Sequence, residues 1–299
     1  MSLTFPNVAF DSDDFASLDG IRQAVERRLD GLLTDTQASD DPVSQAMRSS
    51  VLAPGKRIRP LLLVLAAREL DCREPALFDL GASIEMIHTA SLILDDLPCM
   101  DNASMRRGRP TVHRQYGEDV AMLAVVALLS RALGVVSDAS TLPAEQRTRM
   151  IGQLSRAADV QGLVKGQYED LHEAQKPRSV ADVMATNRHK TGVLFQASMQ
   201  LVAVITGIDK AAADSLERFA LALGQAYQLS DDLGDCSAAH GKDADQDRDK
   251  ATLVNLLGAE EVCRLLSEQL EEADRQLTFV YGPCSALGNF TRSLFPCSW

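Results

Sequence analysis

The fold class is determined by residues 75–101, PALFDLGASIEMIHTASLILDDLPCMD. Apolar residues recur there at the three- and four-residue spacing of one helix face, at Leu77, Leu80, Ile84, Ile87 and Leu94. Pro98 cannot continue a regular helix, so the sequence predicts a long apolar helix that ends at the acidic pair Asp95-Asp96.

The rest of the chain repeats this helical spacing, and no stretch shows strand alternation or a hairpin signal. The predicted helices cover residues 59–70, 118–136, 143–171, 191–206, 211–235, 252–257 and 260–280. The segment 118–136 is apolar nearly all round, so we expect it to be buried. We predict an all-α fold, a single large helical bundle over residues 1–299. The tail, 282–299, lacks the helical pattern.

Bulk composition excludes several classes of protein. A net charge of −12 over 299 residues disfavours nucleic acid as a partner. The longest apolar run, 120–129, is shorter than the ~20 residues of a membrane span, and the first residues do not resemble a signal peptide. The six cysteines form no CxxC pair, which indicates free thiols in a reducing compartment. We therefore predict a cytoplasmic protein without a membrane span.

Two acidic clusters end apolar helices: Asp95-Asp96 with Asp101, and Asp231-Asp232 with Asp235. Buried carboxylates are costly unless a positive charge compensates them. Mg²⁺ typically uses one or two carboxylates together with substrate phosphates. The pattern therefore favours a magnesium site, with a solvated helix end as the structural alternative for either cluster alone.

Cationic residues stand beside these clusters. Residues 55–60, GKRIRP, place three positive charges at a helix start, and residues 106–110, RRGRP, follow Asp101 closely. His88 lies on the same helix face as Asp95, and it could donate to a second diphosphate or simply be a core histidine. Lys190 and Thr191 open another helix. Lys242 and Lys250 lie in the polar insertion 238–250, which otherwise resembles a solvated loop. A phosphate-bearing substrate that is bridged to the protein by a metal ion would explain both the acidic clusters and the cationic residues beside them.

A di-iron helical bundle is the alternative from another class. Glu85-x-x-His88 and Glu169-x-x-His172 have the spacing of carboxylate-bridged iron ligands. This interpretation leaves the aspartate clusters and every cation unexplained.

These motifs together resemble the trans-isoprenyl diphosphate synthases, over about residues 53–258, and most resemble the bacterial geranylgeranyl diphosphate synthases of carotenoid pathways. The resemblance rests on the tracts APGKRIRP, HTASLILDDLPCMDN, RRGRPTVH, VQGLVKGQYEDL, GQAYQLSDDL and KATLVNLLG. It implies an all-α fold around a central cavity, a homodimer, and isopentenyl and allylic diphosphates as substrates.

The resemblance also implies roles for individual residues. Three Mg²⁺ ions are expected to bridge the allylic diphosphate to Asp95, Asp101 and Asp231, with Asp96, Asp232 and Asp235 close by. The allylic diphosphate is expected on Arg106, Lys190, Thr191, Gln228, Lys242 and Lys250. Isopentenyl diphosphate is expected on Gly55, Lys56, Arg59, His88 and Arg107. Gln167 and Asp170 match a family position near the metal site.

Product length depends on the helix before Asp95. Ala90 and Ser91, five and four residues upstream, are small where farnesyl-forming relatives often carry a bulky aromatic residue. We therefore predict geranylgeranyl diphosphate as the product, with Ile84, Ile87, Met122 and Val126 as candidates for the steric stop. The alternatives are a farnesyl or longer-chain synthase, or a non-catalytic partner subunit, against which the intact aspartate and arginine motifs argue.

Overall fold

The computed structural model describes residues 10–11, 13–36, 40–173, 179–235 and 253–295. The chain divides into two compact units, an N-terminal unit (1–154) and a C-terminal unit (155–299). The division falls within one helix, and the two units are described separately. The single domain and the central cavity stay predictions.

The regular elements in the described part of the N-terminal unit are helices, apart from one small hairpin. Its elements are α1 (Leu18–Leu32), α2 (Pro42–Val51), α3 (Ile58–Arg68), α4 (Ala76–Asp95), β1 (Met105–Arg106), β2 (Arg109–Pro110), α5 (Val112–Tyr116), α6 (Glu118–Ser137) and α7 (Ala144–Ala158). Short 3₁₀ turns lie at Asp13–Phe15 and Thr34–Thr36. The expected all-α class is confirmed.

The central element of the N-terminal unit is α4, which packs against α1, α2, α3 and α6. Because neighbours surround it, most of its residues from Ala76 to Ile93 are buried, the charged Glu85 among them. Gly81 lets Pro60 of α3 approach, since a methyl group there would lie 3.2 Å from the proline Cβ. This packing fixes the position of α4 and therefore of Asp95, which is the last residue of the helix.

Three sequence predictions about this unit are wrong. β1 and β2 pair antiparallel, with Met105 opposite Pro110. The sequence did not predict these strands because each has only two residues, too few to show alternation. The turn between them places Arg107 and Gly108 at positive φ. The predicted 143–171 helix breaks after α7, where Asp159 accepts a hydrogen bond from the amide of Gln161 and forms a turn.

The third error concerns α6, which is only partly buried. Met122, Leu123 and Val126 are 51%, 55% and 62% exposed, so they form an apolar surface, the α6 face. By length and composition alone, α4 and α6 are each long and apolar enough to cross a membrane. The burial of α4 is that of a core helix. The absence of a membrane span stays a prediction.

The C-terminal unit contains the remaining helices. They are α8 (Leu163–Glu173), α9 (Val180–Asn187), α10 (Val193–Thr206), α11 (Lys210–Asp235), α12 (Leu253–Leu257), α13 (Ala259–Tyr281) and α14 (Ala286–Ser293). Long helices α11 and α13 pack along each other. Ser179 and Asp182 form a capping box at the start of α9. Gly234 does not interrupt α11, which continues to Asp235.

The prediction of a tail without helical pattern is wrong in part. Ser285 caps α14 by accepting a hydrogen bond from the amide of Gly288. Leu287 and Phe290 of α14 are buried, and Arg292 pairs with Asp274 of α13 at 2.5 Å. The helix is only eight residues long, so too few apolar positions recur for its period to show in the sequence. Residues 296–299 lie outside the described chain.

Candidate active site

The first acidic cluster is assembled by a tight turn after α4. Asp96 is the last residue of the helical geometry, and Pro98 prevents its continuation. The amide of Asp101 donates to the carbonyl of Asp95 at 2.9 Å, and the amide of Asn102 donates to the carbonyl of Leu97 at 3.0 Å. The chain therefore folds back, and Asp101 returns to the end of the helix that carries Asp95.

Asp96 is buried and is paired with Arg106 of β1. Nε of Arg106 lies 2.8 Å from both carboxylate oxygens, and Nη2 lies 2.7 Å from one of them. Burial raises the pKa of Asp96, and the Asp101 charge raises it further, whereas the hydrogen bond and charge of Arg106 lower it. Arg106 is thus tethered beside the acidic cluster, with its guanidinium plane fixed by a bidentate contact.

The hairpin brings a second arginine to the loop before α3. Arg107 occupies the left-handed region at φ 52°, and its Nη1 lies 3.5 Å from the carbonyl of Pro54. A methyl group on Gly55 would lie 2.9 Å from that same nitrogen, so an alanine there would displace the tip of the Arg107 side chain. The structure therefore brings Gly55 and Arg107 together, two of the residues expected at one diphosphate.

The three cations of residues 55–60 do not share one environment. Lys56 is exposed and Arg59 is half-buried, as expected of ligand-binding residues. The side chain of Arg57 is fully buried and bonds to Glu26 and Glu85. The prediction of three cations available at this helix start is therefore wrong for Arg57, because two carboxylates already neutralise its charge.

His88 lies on α4 within the field of this cationic group. Burial lowers the pKa of its imidazole well below the ordinary value, and the charges of Arg59, Arg107 and Arg106 lower it further. The ring is therefore neutral at physiological pH and can donate one hydrogen bond. Burial and the nearby arginine charges thus both lower the pKa of the His88 imidazole.

The two small residues predicted to set product length lie one turn after His88. Ala90 is 1% exposed, and Ser91 is half-buried. The Ser91 hydroxyl donates to the carbonyl of His88 at 2.9 Å, so it is bonded within its own helix. Both residues present little volume on α4. Their role in chain length stays a prediction.

The C-terminal unit gathers a second group of predicted residues. Nζ of Lys190 donates to Asp170 of α8 at 2.6 Å. The hydroxyl of Thr191 donates to Gln228 of α11 at 3.1 Å, and the Gln228 amide donates to Asp232 at 3.0 Å. These contacts connect a cation, a hydroxyl and the second acidic cluster across three elements.

A π-helical turn, Arg188–Gly192, carries Lys190 and Thr191 between α9 and α10. Two glycines on neighbouring helices allow close approach to this turn. A methyl group on Gly166 of α8 would lie 2.6 Å from Cα of Lys190, and one on Gly224 of α11 would lie 2.6 Å from Cα of Gly192. Such turns are often found at functional sites, and here the turn presents both side chains between α8 and α11.

Other predicted residues of this unit are placed less completely. Gln167 is buried, and its amide nitrogen has no hydrogen-bond partner in the described chain. Asp231 is exposed, whereas Asp232 is buried. The side chain of Asp235, and Lys242 and Lys250 entirely, lie outside the described residues.

The donor set fits magnesium. Asp95 and Asp101 of the N-terminal unit supply hard carboxylate oxygens, as Asp231 does in the C-terminal unit, and the described residues contain no group of three or more His, Cys, Asp or Glu side chains converging on one point. Mg²⁺ commonly takes one or two carboxylates and completes its shell with water and substrate phosphates. The buried amide of Gln167 is a further donor that an oxygen-rich ligand would satisfy.

The di-iron interpretation is wrong. The Glu85 carboxylate accepts a hydrogen bond from Arg57 at 2.7 Å, so it is already neutralised. Glu169 accepts a hydrogen bond from Thr186 and contacts the ring of His189, and the ring of His172 packs at a tilt against Tyr168, with the ring centroids 4.6 Å apart. Neither Glu-x-x-His pair presents two ligands to a common metal.

Sequence reasoning missed the supporting residues of both groups. Glu26, which holds Arg57, and Glu169, which contacts the π-helical turn, drew no assignment to the diphosphate site. The available signal was Glu85 itself, because an acidic residue in the middle of an apolar helix requires a cation nearby.

Comparison with known proteins identifies the family. The polyprenyl synthetase family profile matches residues 40–278. A geranylgeranyl diphosphate synthase of Pantoea ananas is 49% identical over 273 residues, covering 91% of this chain and 90% of its own. A farnesyl diphosphate synthase of Geobacillus stearothermophilus is 39% identical over 267 residues, covering 86% and 88%. The crystal structure of a geranyltransferase from Legionella pneumophila superposes with a TM-score of 0.84 at 27% identity, covering 93% and 94%. The chain belongs to the polyprenyl synthetase family.

Proposed function

We propose that this protein joins isopentenyl diphosphate to an allylic diphosphate in the presence of Mg²⁺ and extends the chain to geranylgeranyl diphosphate. One observation in the N-terminal unit carries the proposal. The acidic end of α4, with Asp95 and Asp101, lies beside a group of possible hydrogen-bond donors to a diphosphate: Arg106, Arg107 and His88. Acidic and cationic groups on one surface suit a metal-bridged diphosphate next to a second diphosphate. The relatives that carry these product names support the assignment.

The proposed reaction begins with ionisation of the allylic diphosphate. Bound Mg²⁺, held by Asp95, Asp101 and Asp231, would supply Lewis-acid stabilisation of the leaving diphosphate. Arg106 adds a fixed positive charge where negative charge develops, since Asp96 already orients it. In the C-terminal unit, Lys190 and Thr191 would bind the same diphosphate, and Gln228 holds Thr191 in position. Lys242 and Lys250 are proposed to assist them.

Isopentenyl diphosphate is proposed to bind to Gly55, Lys56, Arg59, His88 and Arg107. Once the allylic C–O bond has broken and the diphosphate has left with its electron pair, the isopentenyl double bond attacks C1 of the resulting allylic cation. A proton then leaves the new chain for the released diphosphate, because His88 is surrounded by arginines that disfavour its protonated form. Holding both substrates in place lowers the entropic part of the barrier.

The length of the product is the finer part of the proposal. Ala90 and Ser91 leave space on α4, which favours a twenty-carbon product over farnesyl diphosphate. A farnesyl synthase is the second candidate, since relatives at 39% and 36% identity carry that name. A place in carotenoid biosynthesis and a cytoplasmic location are also proposed, on the resemblance and the cysteine pattern.

A homodimer is proposed on the exposed α6 face. Met122, Leu123 and Val126 form an apolar surface on a helix whose other side is core, and a second copy of this chain could cover it. Sedimentation of the purified protein tests this. A Val126→Glu variant should shift the equilibrium to monomer; a monomeric wild-type protein would contradict the proposal.

The enzymatic proposal is tested by incubating the protein with farnesyl diphosphate, isopentenyl diphosphate and Mg²⁺ and sizing the product. We expect geranylgeranyl diphosphate, and no product after the metal is chelated. Absence of any condensation would overturn the enzyme assignment and favour a non-catalytic partner subunit. A product that stops at farnesyl diphosphate from shorter primers would overturn only the length.

A further inference from the structure

Arg57 is the most completely enclosed cation described near the candidate site. Its side chain has no exposed surface, and its guanidinium makes five hydrogen bonds. Nε donates to Glu26 of α1 at 2.6 Å, and Nη1 donates to Glu85 of α4 at 2.7 Å. A side chain so enclosed cannot contact a substrate, so Arg57 can act only through the residues to which it is hydrogen-bonded.

The remaining bonds of Arg57 hold the loop between α2 and α3. Nη2 donates to the carbonyl of Val51, the last residue of α2, at 2.8 Å and to that of Ala53 at 2.9 Å. These carbonyls lie at a helix end, where acceptors lack partners within the helix. Arg57 therefore satisfies them and fixes the path of the chain into Gly55 and Lys56.

The backbone at Arg57 is itself unusual. Its φ of 49° lies in the left-handed region, and it precedes α3 without a capping side chain. A residue other than glycine in this conformation is strained, so the surrounding hydrogen bonds must maintain it. The side chain of Arg57 points into the protein, whereas those of Lys56 before it and Arg59 after it are less buried.

Glu85 connects this arrangement to His88. The two residues are three positions apart on α4 and hence one turn apart on neighbouring faces. Without Arg57, the Glu85 carboxylate would be a buried negative charge beside a ring and a loop that receive a diphosphate. Arg57 both neutralises that carboxylate and attaches the loop to the helix.

We propose that Arg57 is the positioning residue of the isopentenyl diphosphate site, because it fixes the loop of Gly55 and Lys56 to α1 through Glu26 and to α4, at the level of His88, through Glu85. This inference rests on the proposed function for the identity of the substrate. The anchoring itself depends only on the contacts of Arg57.

The experiment compares Arg57→Gln and Arg57→Lys with a matched control, Arg28→Gln, in the full chain. Arg28 is also a buried arginine, and it joins α1 to Asp79 in the first turn of α4, away from the loop. KM and kcat are measured for both substrates, together with Tm. In Arg57→Gln we expect KM for isopentenyl diphosphate to rise about 10- to 100-fold, as for a misplacement near 1 Å, with KM for the allylic substrate nearly unchanged. Arg57→Lys should recover part of the loss.

The control separates positioning from general stability. Arg28→Gln should lower Tm as well but leave both KM values unchanged. An Arg57→Gln protein that is folded yet has an unchanged KM for isopentenyl diphosphate, or an equal rise in both KM values, would overturn the proposal. If Arg57→Gln does not fold, Glu85→Gln leaves Arg57 attached to Glu26 and should raise the same KM by a smaller factor; an unchanged value overturns the proposal.

Hydrogen exchange provides a measurement that does not need activity. The amides of residues 53–59 should exchange faster in Arg57→Gln than in Arg28→Gln. A wild-type protein without condensation activity would refute the proposed function, whereas equal exchange in the two variants would refute the anchoring by Arg57.

Discussion

Gly166→Ala adds a single methyl group where α8 meets the π-helical turn. Its Cβ would lie 2.6 Å from Cα of Lys190 and 2.7 Å from the carbonyl carbon of His189. Carbon atoms in contact are normally about 3.5–4.0 Å apart, so the two backbones must separate by about 1 Å. The atoms in the way are backbone, which cannot rotate aside as a side-chain tip can. The methyl group therefore moves Lys190 itself.

The expected loss of activity exceeds the expected loss of stability. Overpacking typically costs about 1–3 kcal/mol, and alanine regains roughly 1 kcal/mol over glycine within a helix. The free energy of unfolding should thus fall by at most about 2 kcal/mol. A displacement near 1 Å of a substrate-binding group can lower kcat/KM about 100-fold.

The assay is steady-state condensation together with thermal unfolding. Gly192→Ala is the matched control, because it adds a methyl group on the same turn but meets only ordinary contacts of 3.8 Å or more. We expect the control to retain KM and kcat. A folded Gly166→Ala protein with wild-type kcat/KM would refute the claim that α8 fixes Lys190 by close backbone contact.

Three further predictions concern α4 and the N-terminal unit. Ser91→Phe should shorten the product, because a large ring replaces a small side chain on α4; product sizing checks this, and an unchanged distribution would show that the chain does not pass that residue. The His88 ring should still be neutral at pH 6.5 by NMR titration, since burial and nearby arginines lower its pKa; a midpoint at or above 6.5 would contradict this. Arg131 hydrogen-bonds Asp35 and lowers its pKa below 3.8, so this pairing stabilises the fold above that pH and the stabilisation is lost as the pH falls through the lowered pKa. Asp35→Asn should therefore cost less than about 1 kcal/mol at neutral pH, the pair being partly exposed, and chemical denaturation should show the difference vanishing in acid.

The sequence predicted the helices well where the evidence is local. The apolar spacing of α4, for example, depends on residues three and four positions apart. The break after α7 and the π-helical turn were not predicted. The turn is packed closely by Gly166 and Gly224, which lie on two different helices, and no window of adjacent residues contains that information.

The burial of the candidate site residues likewise depends on residues far away in the sequence. Lys56 and Arg57 are adjacent and chemically alike, yet one is exposed and the other is fully enclosed. The difference arises from Glu26 and Glu85, which lie 31 and 28 positions from Arg57. A motif thus predicts which residue types lie close together, whereas burial determines which of them a ligand could reach.

The two acidic clusters extend this reasoning to the carboxylates. In each pair the second aspartate, Asp96 or Asp232, is buried and bonded to a side chain of its own unit, Arg106 or Gln228. The first aspartate, Asp95 or Asp231, is more exposed. Consecutive residues on a helix point in different directions, so a pair at a helix end places one carboxylate toward the protein and one outward. Doubling the aspartate therefore lets one carboxylate orient a neighbouring side chain while the other is more exposed to solvent, and a single aspartate at either position could not do both.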